Sequence, residues 1–230
     1  MEALVVGRTQ RRRQGGSYLF IAGAVLLVIS LFLGWYTISE MESAGPAFDT
    51  VTLNLLPGPD ARLTATCSGY ATCPPDSNNA TPYANGSRAS QPLATLYESL
   101  EYVLISAILV GLVAGGLGLA VGGRRQSLVK PVVTVALVAL AIATAAPALV
   151  TAGTTSAWRT LTGSSSGPGS SFIGSNSTDG VSANWGPGYG FLFGVLGAGC
   201  FLGGALLWFL GRRQIPVSER RVVPGLPGGF

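Results

Sequence analysis

The sequence predicts an all-α membrane protein: a four-helix transmembrane bundle with a small extracellular β-hairpin or sheet in its first outer loop. The chain has 230 residues, of which 48% are hydrophobic and only 10% are charged, whereas soluble domains usually carry about 25% charged residues. Four apolar windows are each long enough to cross a hydrocarbon core of about 30 Å, and Glu101 is the only Asp, Glu, Lys or Arg inside them. Basic residues cluster beside these windows. Together these observations indicate a protein whose main solvent is lipid.

Each predicted helix ends where its apolar run meets charged or polar residues. The basic start of the chain also fits a signal peptide, but the apolar run after it is longer than a usual signal core and leads into Gly34, Trp35 and Tyr36. We therefore expect a retained first helix. The predicted segments are a cytoplasmic N-terminus (1–16), helix one (17–36), outer loop one (37–99), helix two (100–122), a cytoplasmic turn (123–130), helix three (131–153), outer loop two (154–187), helix four (188–210) and a cytoplasmic tail (211–230).

The distribution of Lys and Arg predicts a multi-pass protein of the cell membrane with both termini in the cytoplasm. Three short segments hold most of the basic residues, while the two long loops hold few. By the positive-inside rule, the short basic segments face the cytoplasm. The clustered residues are Arg8, Arg11, Arg12, Arg13, Arg124, Arg125, Lys130, Arg212, Arg213, Arg220 and Arg221.

Aromatic residues predict where the helices meet the lipid headgroups. Trp35 and Tyr36 are expected to end helix one, and Trp185 and Tyr189 to begin helix four. Such residues place an apolar ring in the acyl region and a polar edge at the headgroups, which fixes the depth of a helix.

Small residues recur at four-residue intervals in helices two and four. This spacing stacks them on one side of a helix, so a neighbouring backbone can approach closely. We expect most of these contacts to lie within the bundle, with a second copy of the chain or another membrane protein as the alternative partner. The predicted helix-packing glycines are Gly111, Gly115, Gly118, Gly122, Gly186, Gly190, Gly194, Gly199 and Gly203.

The first outer loop is predicted to form a small antiparallel sheet. Residues 49–56 are β-branched and alternating, the Pro-Gly-Pro-Asp sequence of residues 57–60 makes a turn, and residues 61–66 form the returning strand. Cys67 and Cys73 have five residues between them, so a disulfide is expected if the loop faces an oxidising space. A metal site and free redox thiols are the alternatives, although two thiols alone make a poor zinc site.

The second outer loop is rich in Gly and Ser and is expected to be flexible. Asn-x-Ser/Thr triplets start at Asn79, Asn85 and Asn176, all in segments assigned to the outside. They are candidate glycosylation sites in an organism that glycosylates its proteins, although such triplets also arise by chance in Ser/Thr-rich loops.

The arrangement of helices and loops resembles the claudin-type architecture: four helices with cytoplasmic ends, a long first outer loop with strands and a Cys pair, and a shorter second loop. The resemblance is one of topology. Claudins carry a Gly-Leu-Trp segment before the first of two more widely spaced cysteines, whereas Ala65 and Thr66 precede Cys67 here. No residue roles are therefore carried over. The segment from Trp185 to Phe191 also resembles the start of the last helix in small, uncharacterised four-helix membrane proteins of archaea and bacteria, and it implies no function.

The types of residue present point away from an enzyme. The chain has no His, the commonest acid-base catalyst and metal ligand, and its sequence has no nucleophile–base pair, phosphate-binding loop or metal-ligand cluster. We expect no cofactor, no bound metal and no nucleic acid, with the lipid bilayer as the first partner. The leading expectation is a non-enzymatic scaffold, envelope protein or accessory subunit that contacts another membrane protein, or a second copy of itself, through its outer loops and small-residue helix faces.

A transporter or channel subunit is the alternative expectation. Glu98 and Glu101 are three residues apart and share one helical face at the predicted outer mouth of helix two, where they would attract cations. A simpler interpretation is that both carboxylates stabilise the N-terminus of that helix. A signal-sensing protein whose basic ends bind anionic lipid is a third candidate. Few polar residues lie within the four windows, which favours the scaffold.

Overall fold

Four long helices make up most of the chain. The computed structural model describes residues 2–42, 48–55, 62–68, 80–82, 91–121, 129–162, 167–178 and 181–212. The helices are α1 (Glu2–Phe32), α2 (Gln91–Val121), α3 (Val129–Thr162) and α4 (Tyr189–Arg212). Each contains a stretch long and apolar enough to cross a membrane, and these stretches are Gln10–Phe32, Thr95–Val121, Val129–Thr160 and Tyr189–Gly211.

The outward faces of these helices carry large apolar side chains. A contiguous apolar surface of this kind is rare on soluble monomers and is typical of surfaces that contact lipid or protein. The prediction of four long apolar helices is confirmed, and their surface is compatible with a helical membrane bundle. Exposed apolar residues include Val25, Val28, Leu109, Leu112, Val113, Leu137, Leu192, Leu196 and Leu202.

The helices pack in a ring, in which α1 and α3 each contact both α2 and α4. The fully buried side chains of Phe20, Leu104 and Phe201 fill part of the interior, and the ring centroids of Phe20 and Phe201 lie 6.5 Å apart. Helix α3 contributes small side chains instead, which allows its neighbours to approach closely. Its buried alanines are Ala136, Ala139, Ala143 and Ala146.

Helices α1 and α4 approach each other at two pairs of glycines. A Cβ atom added at Gly16 would lie 2.8 Å from the carbonyl oxygen of Gly204, and one added at Gly23 would lie 2.8 Å from that of Gly197. Such distances are too short for a carbon atom and an oxygen atom, so only glycine permits this spacing of the helices. The two pairs are seven residues apart along each helix, a repeat that keeps one seam facing a neighbouring helix.

The described strands form one antiparallel sheet in the order β4-β3-β2-β1-β6-β5. They are β1 (Tyr36–Glu42), β2 (Phe48–Asn54), β3 (Arg62–Ser68), β4 (Ala80–Pro82), β5 (Gly174–Thr178) and β6 (Val181–Pro187). The predicted antiparallel sheet in the first loop is confirmed, because β2 pairs with β3 and places Thr52 opposite Thr64.

The sheet also includes residues 174–178 and 181–187 of the second loop, where the sequence predicts no strand. Strand β6 pairs with β1 and places Trp185 opposite Ile38, and β5 pairs with β6 at the edge of the sheet. The residues of β5 are Gly, Ser, Asn, Ser and Thr, which lack the apolar alternation of a recognisable strand. Its partner β6 follows directly in the same loop, and the pairing that leaves no local sequence signal is that of β6 with the distant strand β1.

The end of α1 differs from the prediction. The helix stops at Phe32, and Tyr36 begins β1 rather than ending helix one. The Trp35 indole N–H donates to the carbonyl of Ser30 at 2.9 Å, and the Trp35 backbone N–H donates to the carbonyl of Leu53 at 2.8 Å. The first bond satisfies a carbonyl of the last helical turn, and the second brings the chain directly into the sheet.

The start of α4 is corrected in the same way. The helix begins at Tyr189, whereas Trp185 and Gly186 lie in β6. Gly186 is therefore not part of the glycine face of helix four. The aromatic ring beside an apolar run and the four-residue spacing of glycines predict a helix here, and neither signal distinguishes a helix from a strand that leads into one.

An aromatic cluster joins the sheet to the bundle. The ring centroids of Trp35 and Phe191 lie 6.1 Å apart, those of Tyr36 and Phe172 lie 5.2 Å apart, and those of Phe172 and Phe191 lie 5.4 Å apart. Aromatic pairs at these distances stabilise a fold beyond the area that they bury. The cluster brings together the end of α1, the second loop and the start of α4.

Candidate functional site

A polar groove lies beside the last turns of α3, on the side of the bundle that carries the sheet. It holds about 410 Å³ and is open to the surface. The sequence does not predict this groove, because helix three is expected to end at residue 153, before three of the lining residues. We call it the α3 groove, and it is lined by Thr151, Ala152, Thr155, Ser156 and Arg159 of α3 and by residues 170–172 of the second loop.

The helical repeat places the lining residues of α3 on one face. Thr151, Thr155 and Arg159 follow each other at intervals of four, which is one turn of helix. Thr154 and Ala157 are buried on the other side. Helix α3 thus continues to Thr162 although Ser and Thr are weak helix formers, because these two residues pack against the rest of the protein.

The guanidinium of Arg159 is held in place by a backbone carbonyl. Its Nε and Nη2 atoms donate to the oxygen of Gly169 at 3.2 Å and 2.9 Å. A planar guanidinium bound through two donors has little freedom to rotate. Arg159 therefore presents a fixed positive charge to the groove.

The opposite wall of the groove is fixed as well. It begins with a 3₁₀ turn, Gly167–Gly169, where Gly167 has a φ of 58° that favours glycine. The Ser170 N–H and hydroxyl both donate to the carbonyl of Gly167. The Trp185 indole N–H donates to the carbonyl of Ser171 at 3.1 Å. Strand β6 thus holds the groove wall through a side chain.

Three hydroxyl-bearing residues are buried between the sheet and the helices near this groove. The Tyr97 and Thr154 hydroxyl oxygens lie 3.4 Å apart. The Tyr36 hydroxyl has no hydrogen-bond partner among the described residues, and burial raises the pKa of Tyr36 above the ordinary tyrosine value. A polar group buried without a partner costs stability.

The predicted outer-mouth carboxylates lie on α2. Glu98 is exposed and Glu101 is partly exposed. Because α2 begins at Gln91, both residues lie beyond the first turn, where the helix dipole has little effect. The simpler interpretation, that they stabilise the N-terminus of this helix, is therefore wrong. Neither lines the α3 groove.

The predicted glycines of α2 lie against other helices. A Cβ atom at Gly111 would contact the Phe201 ring, and one at Gly118 would contact the Ser17 hydroxyl. A Cβ atom at Gly115 would lie 2.8 Å from the Ile21 side chain. Gly122 lies outside the described residues.

The predicted glycines of α4 have different surroundings. A Cβ atom at Gly190 or Gly194 would lie 2.7 Å from the Trp35 side chain, and one at Gly203 would lie 3.4 Å from Leu19. Gly199 has no atom within 4 Å of such a Cβ position, so it belongs to the outer surface of the ring.

The remaining predicted sites fall mostly outside the described residues. Cys67 lies in β3, but its side chain and all of Cys73 lie outside, so the disulfide stays a prediction. Asn79 and Asn85 also lie outside. Asn176 is exposed in the edge strand β5, where its side chain is accessible to modification. Within the described ranges, no group of three or more Asp, Glu, Cys or His residues could hold a metal ion.

A second cluster lies at the other end of the bundle. Arg13 is buried, and its guanidinium carbon lies 5.8 Å from the centre of the Trp208 ring. The Trp208 indole N–H donates to the Ser17 hydroxyl, which in turn donates to the carbonyl of Arg13. Arg13 was predicted only as one of the residues that orient the protein in the membrane. A Trp opposite an Arg at the same end of two neighbouring helices is the signal that could have found this contact.

The two sequence comparisons with known proteins give no match. No family model matches the chain, and no curated protein matches its sequence. The resemblance to claudins therefore rests on the predicted topology alone.

Proposed function

We propose that this chain is a non-enzymatic, multi-pass protein of the cell membrane that acts as a scaffold or accessory subunit and binds a partner protein through its outer sheet. The observation that carries the proposal is that both loops build one sheet with an open edge at β5. Among the described strands, β5 pairs only with β6. An edge strand exposes unpaired N–H and C=O groups that can pair with a strand of another protein.

The charges at the two ends of the bundle support the proposed orientation. Arg11, Arg12 and Lys130 are exposed at the end opposite the sheet, and the positive-inside rule assigns that end to the cytoplasm. The sheet then lies outside the cell. Tags at the two termini should both be protected from protease in intact cells, and protection of only one would contradict this orientation.

The interior of the bundle favours a scaffold over a transporter. Below the level of Glu98 and Glu101, the described interior contains Leu104, Ala107 and Phe201, all fully buried. The buried polar residues of α1 lie toward the two ends of its apolar stretch, Gln10–Phe32; they are Arg13, Ser17 and Ser30. A pathway for ions or solutes usually contains polar or charged side chains at this depth. The acidic pair alone does not make such a pathway.

Photocrosslinking at β5 tests the proposal directly. Ser175 and Ser177 are exposed on this strand, and each is replaced in turn by a photoreactive phenylalanine derivative in native membranes. Leu196 on α4, 58% exposed, receives the same residue as a matched control. We expect a discrete protein adduct from the β5 positions, identified by mass spectrometry, and none from position 196. Absence of protein adducts at both serines would contradict binding through β5.

A further inference from the structure

The α3 groove contains the positive charge of Arg159, and the hydrogen bonds to Gly169 engage only some of the N–H donors of its guanidinium. A guanidinium has five N–H donors, and the Nε and Nη2 atoms of Arg159 donate to one oxygen, that of Gly169. This leaves the edge formed by Nη1 and the second Nη2 hydrogen, and two N–H groups on one edge of a guanidinium can bind phosphate or carboxylate through two parallel bonds. Among the described residues, no carboxylate lines the groove. A ligand with an anionic oxygen therefore fits this end of the groove.

The hydroxyls along the groove act as hydrogen-bond acceptors, whereas Arg159 acts as a donor, because the hydroxyl protons are already donated to backbone carbonyls. A hydroxyl that has donated its proton still offers oxygen lone pairs as acceptors. The groove thus combines a cationic donor with neutral acceptors. The donations are Thr151 to Pro147 at 2.7 Å, Thr155 to Thr151 at 3.4 Å, Ser170 to Gly167 at 2.7 Å and Ser171 to Ile173 at 2.9 Å.

The depth of the groove points to lipid as the source of the ligand. Thr151 and Arg159 are eight residues apart, or about 12 Å along a helix, and the apolar stretch of α3 ends at Thr160. This stretch, Val129–Thr160, has 32 residues, or about 48 Å of helix, and is longer than a hydrocarbon core of about 30 Å. The groove at its end therefore extends into the layer where phospholipid headgroups lie. Two residues before Thr151, Leu149 is 40% exposed and provides an apolar surface for acyl chains.

We propose that the α3 groove binds a phospholipid headgroup that has both a phosphodiester and N–H or O–H donors. Arg159 binds the phosphate, and the threonine and serine oxygens accept hydrogen bonds from the headgroup. Phosphatidylglycerol and phosphatidylethanolamine have such donors. Phosphatidylcholine has the same phosphodiester but a quaternary ammonium without N–H. The inference needs the bundle to lie in a bilayer and does not depend on a protein partner.

Native mass spectrometry of the full chain in detergent tests this proposal by titration with lipids of matched acyl chains. We expect phosphatidylglycerol to bind at least about threefold more tightly than phosphatidylcholine, because each hydrogen bond contributes modestly. Equal affinity for the two lipids would overturn the proposal. Glycerol 3-phosphate serves as a probe without acyl chains. If it binds as tightly as phosphatidylglycerol, the ligand is a free phosphate ester and the lipid assignment is wrong.

Variants separate binding from structure. Arg159→Gln should weaken both lipids by about tenfold, because it removes charge-assisted bonds to the shared phosphate. Arg12→Gln, which removes an exposed arginine at the other end of the bundle, should change neither affinity. An equal loss in these two variants would contradict a specific site.

Thr155→Val keeps the shape of the side chain and the fold even if Arg159→Gln does not fold. It should reduce the preference for phosphatidylglycerol while leaving phosphatidylcholine unchanged, and an unchanged preference would contradict the role of the acceptors. Failure of the lipid tests leaves the β5 crosslinking result intact, so this proposal and the scaffold proposal can fail separately.

Discussion

The glycine seam between α1 and α4 allows a stability prediction with an internal control. A Cβ atom at Gly23 would lie 2.8 Å from the carbonyl oxygen of Gly197 and 2.8 Å from the Phe201 ring. The oxygen belongs to the backbone of a packed helix and cannot move without shifting that helix. Gly199, on the outward face of α4, has no atom within 4 Å of its Cβ position. The same substitution therefore meets a full contact at one site and open space at the other.

We expect Gly23→Ala to destabilise the protein and Gly199→Ala to stabilise it. Replacing glycine by alanine inside a helix contributes about 0.5–1 kcal/mol of stability, and this gain applies to both variants. Overpacking costs about 1–3 kcal/mol and applies only to Gly23→Ala. Since the helix term cancels in the comparison, Gly23→Ala should be less stable than Gly199→Ala by about 1–3 kcal/mol.

Reversible unfolding of the purified protein measures this difference. The protein is unfolded in mixed micelles with a rising fraction of sodium dodecyl sulfate, and far-UV circular dichroism reports the loss of helix. The seam variant should unfold at the lowest detergent fraction, and the surface variant at a fraction equal to or above that of the parent. If Gly23→Ala proves as stable as Gly199→Ala, α1 and α4 do not approach each other as closely as this packing requires.

Two further predictions concern the buried hydroxyls, and both use the same unfolding assay. Tyr97→Phe removes the partner of the buried Thr154 hydroxyl and should lower the free energy of unfolding by about 1–3 kcal/mol. The double variant Tyr97→Phe/Thr154→Val should regain part of this stability. A loss in the double variant equal to the sum of the two single losses would argue against the contact. Because burial raises the pKa of Tyr36, the folded protein keeps this proton at a pH where the unfolded chain has lost it, so the free energy of unfolding should fall as the pH rises above about 10. Tyr36→Phe should show a smaller fall between about pH 8 and about pH 11, and equal falls in parent and variant would contradict the burial of this hydroxyl.

The parts of the fold that could be predicted are those whose cause is local. A charged residue is costly within a bilayer, so each apolar stretch is visible wherever charges are absent. The β2–β3 pair is visible because alternating residues are joined by the Pro-Gly-Pro-Asp turn of residues 57–60. In both cases the residues that make the element also carry its signal.

The parts that were missed depend on contacts between distant segments. Ser39 lies opposite Asn184 in the β1–β6 pair, and nothing near either residue specifies the other. Trp185 was interpreted as an interfacial anchor because an isolated aromatic residue beside an apolar run has the same pattern in a helix and in a strand. Arg159 was counted only as a charge in a loop. The interval of four that joins it to Thr155 and Thr151 is recognisable only once α3 is known to continue.

The junction between the sheet and the bundle is consistent with the proposed scaffold role and argues against a mobile lid. The Gly188 N–H donates to the carbonyl of Trp35 at 3.0 Å, and the Gly190 N–H donates to that of Gly34 at 2.8 Å. The end of α1 and the start of α4 are thus bonded directly through their backbones, and the buried indole of Trp35 lies between them. A sheet that is attached at both of these points cannot pivot without breaking buried hydrogen bonds, each of which is costly to leave unmade. A partner bound at β5 would therefore be held at a fixed position relative to the membrane, which is what a scaffold requires and what a gating element must avoid.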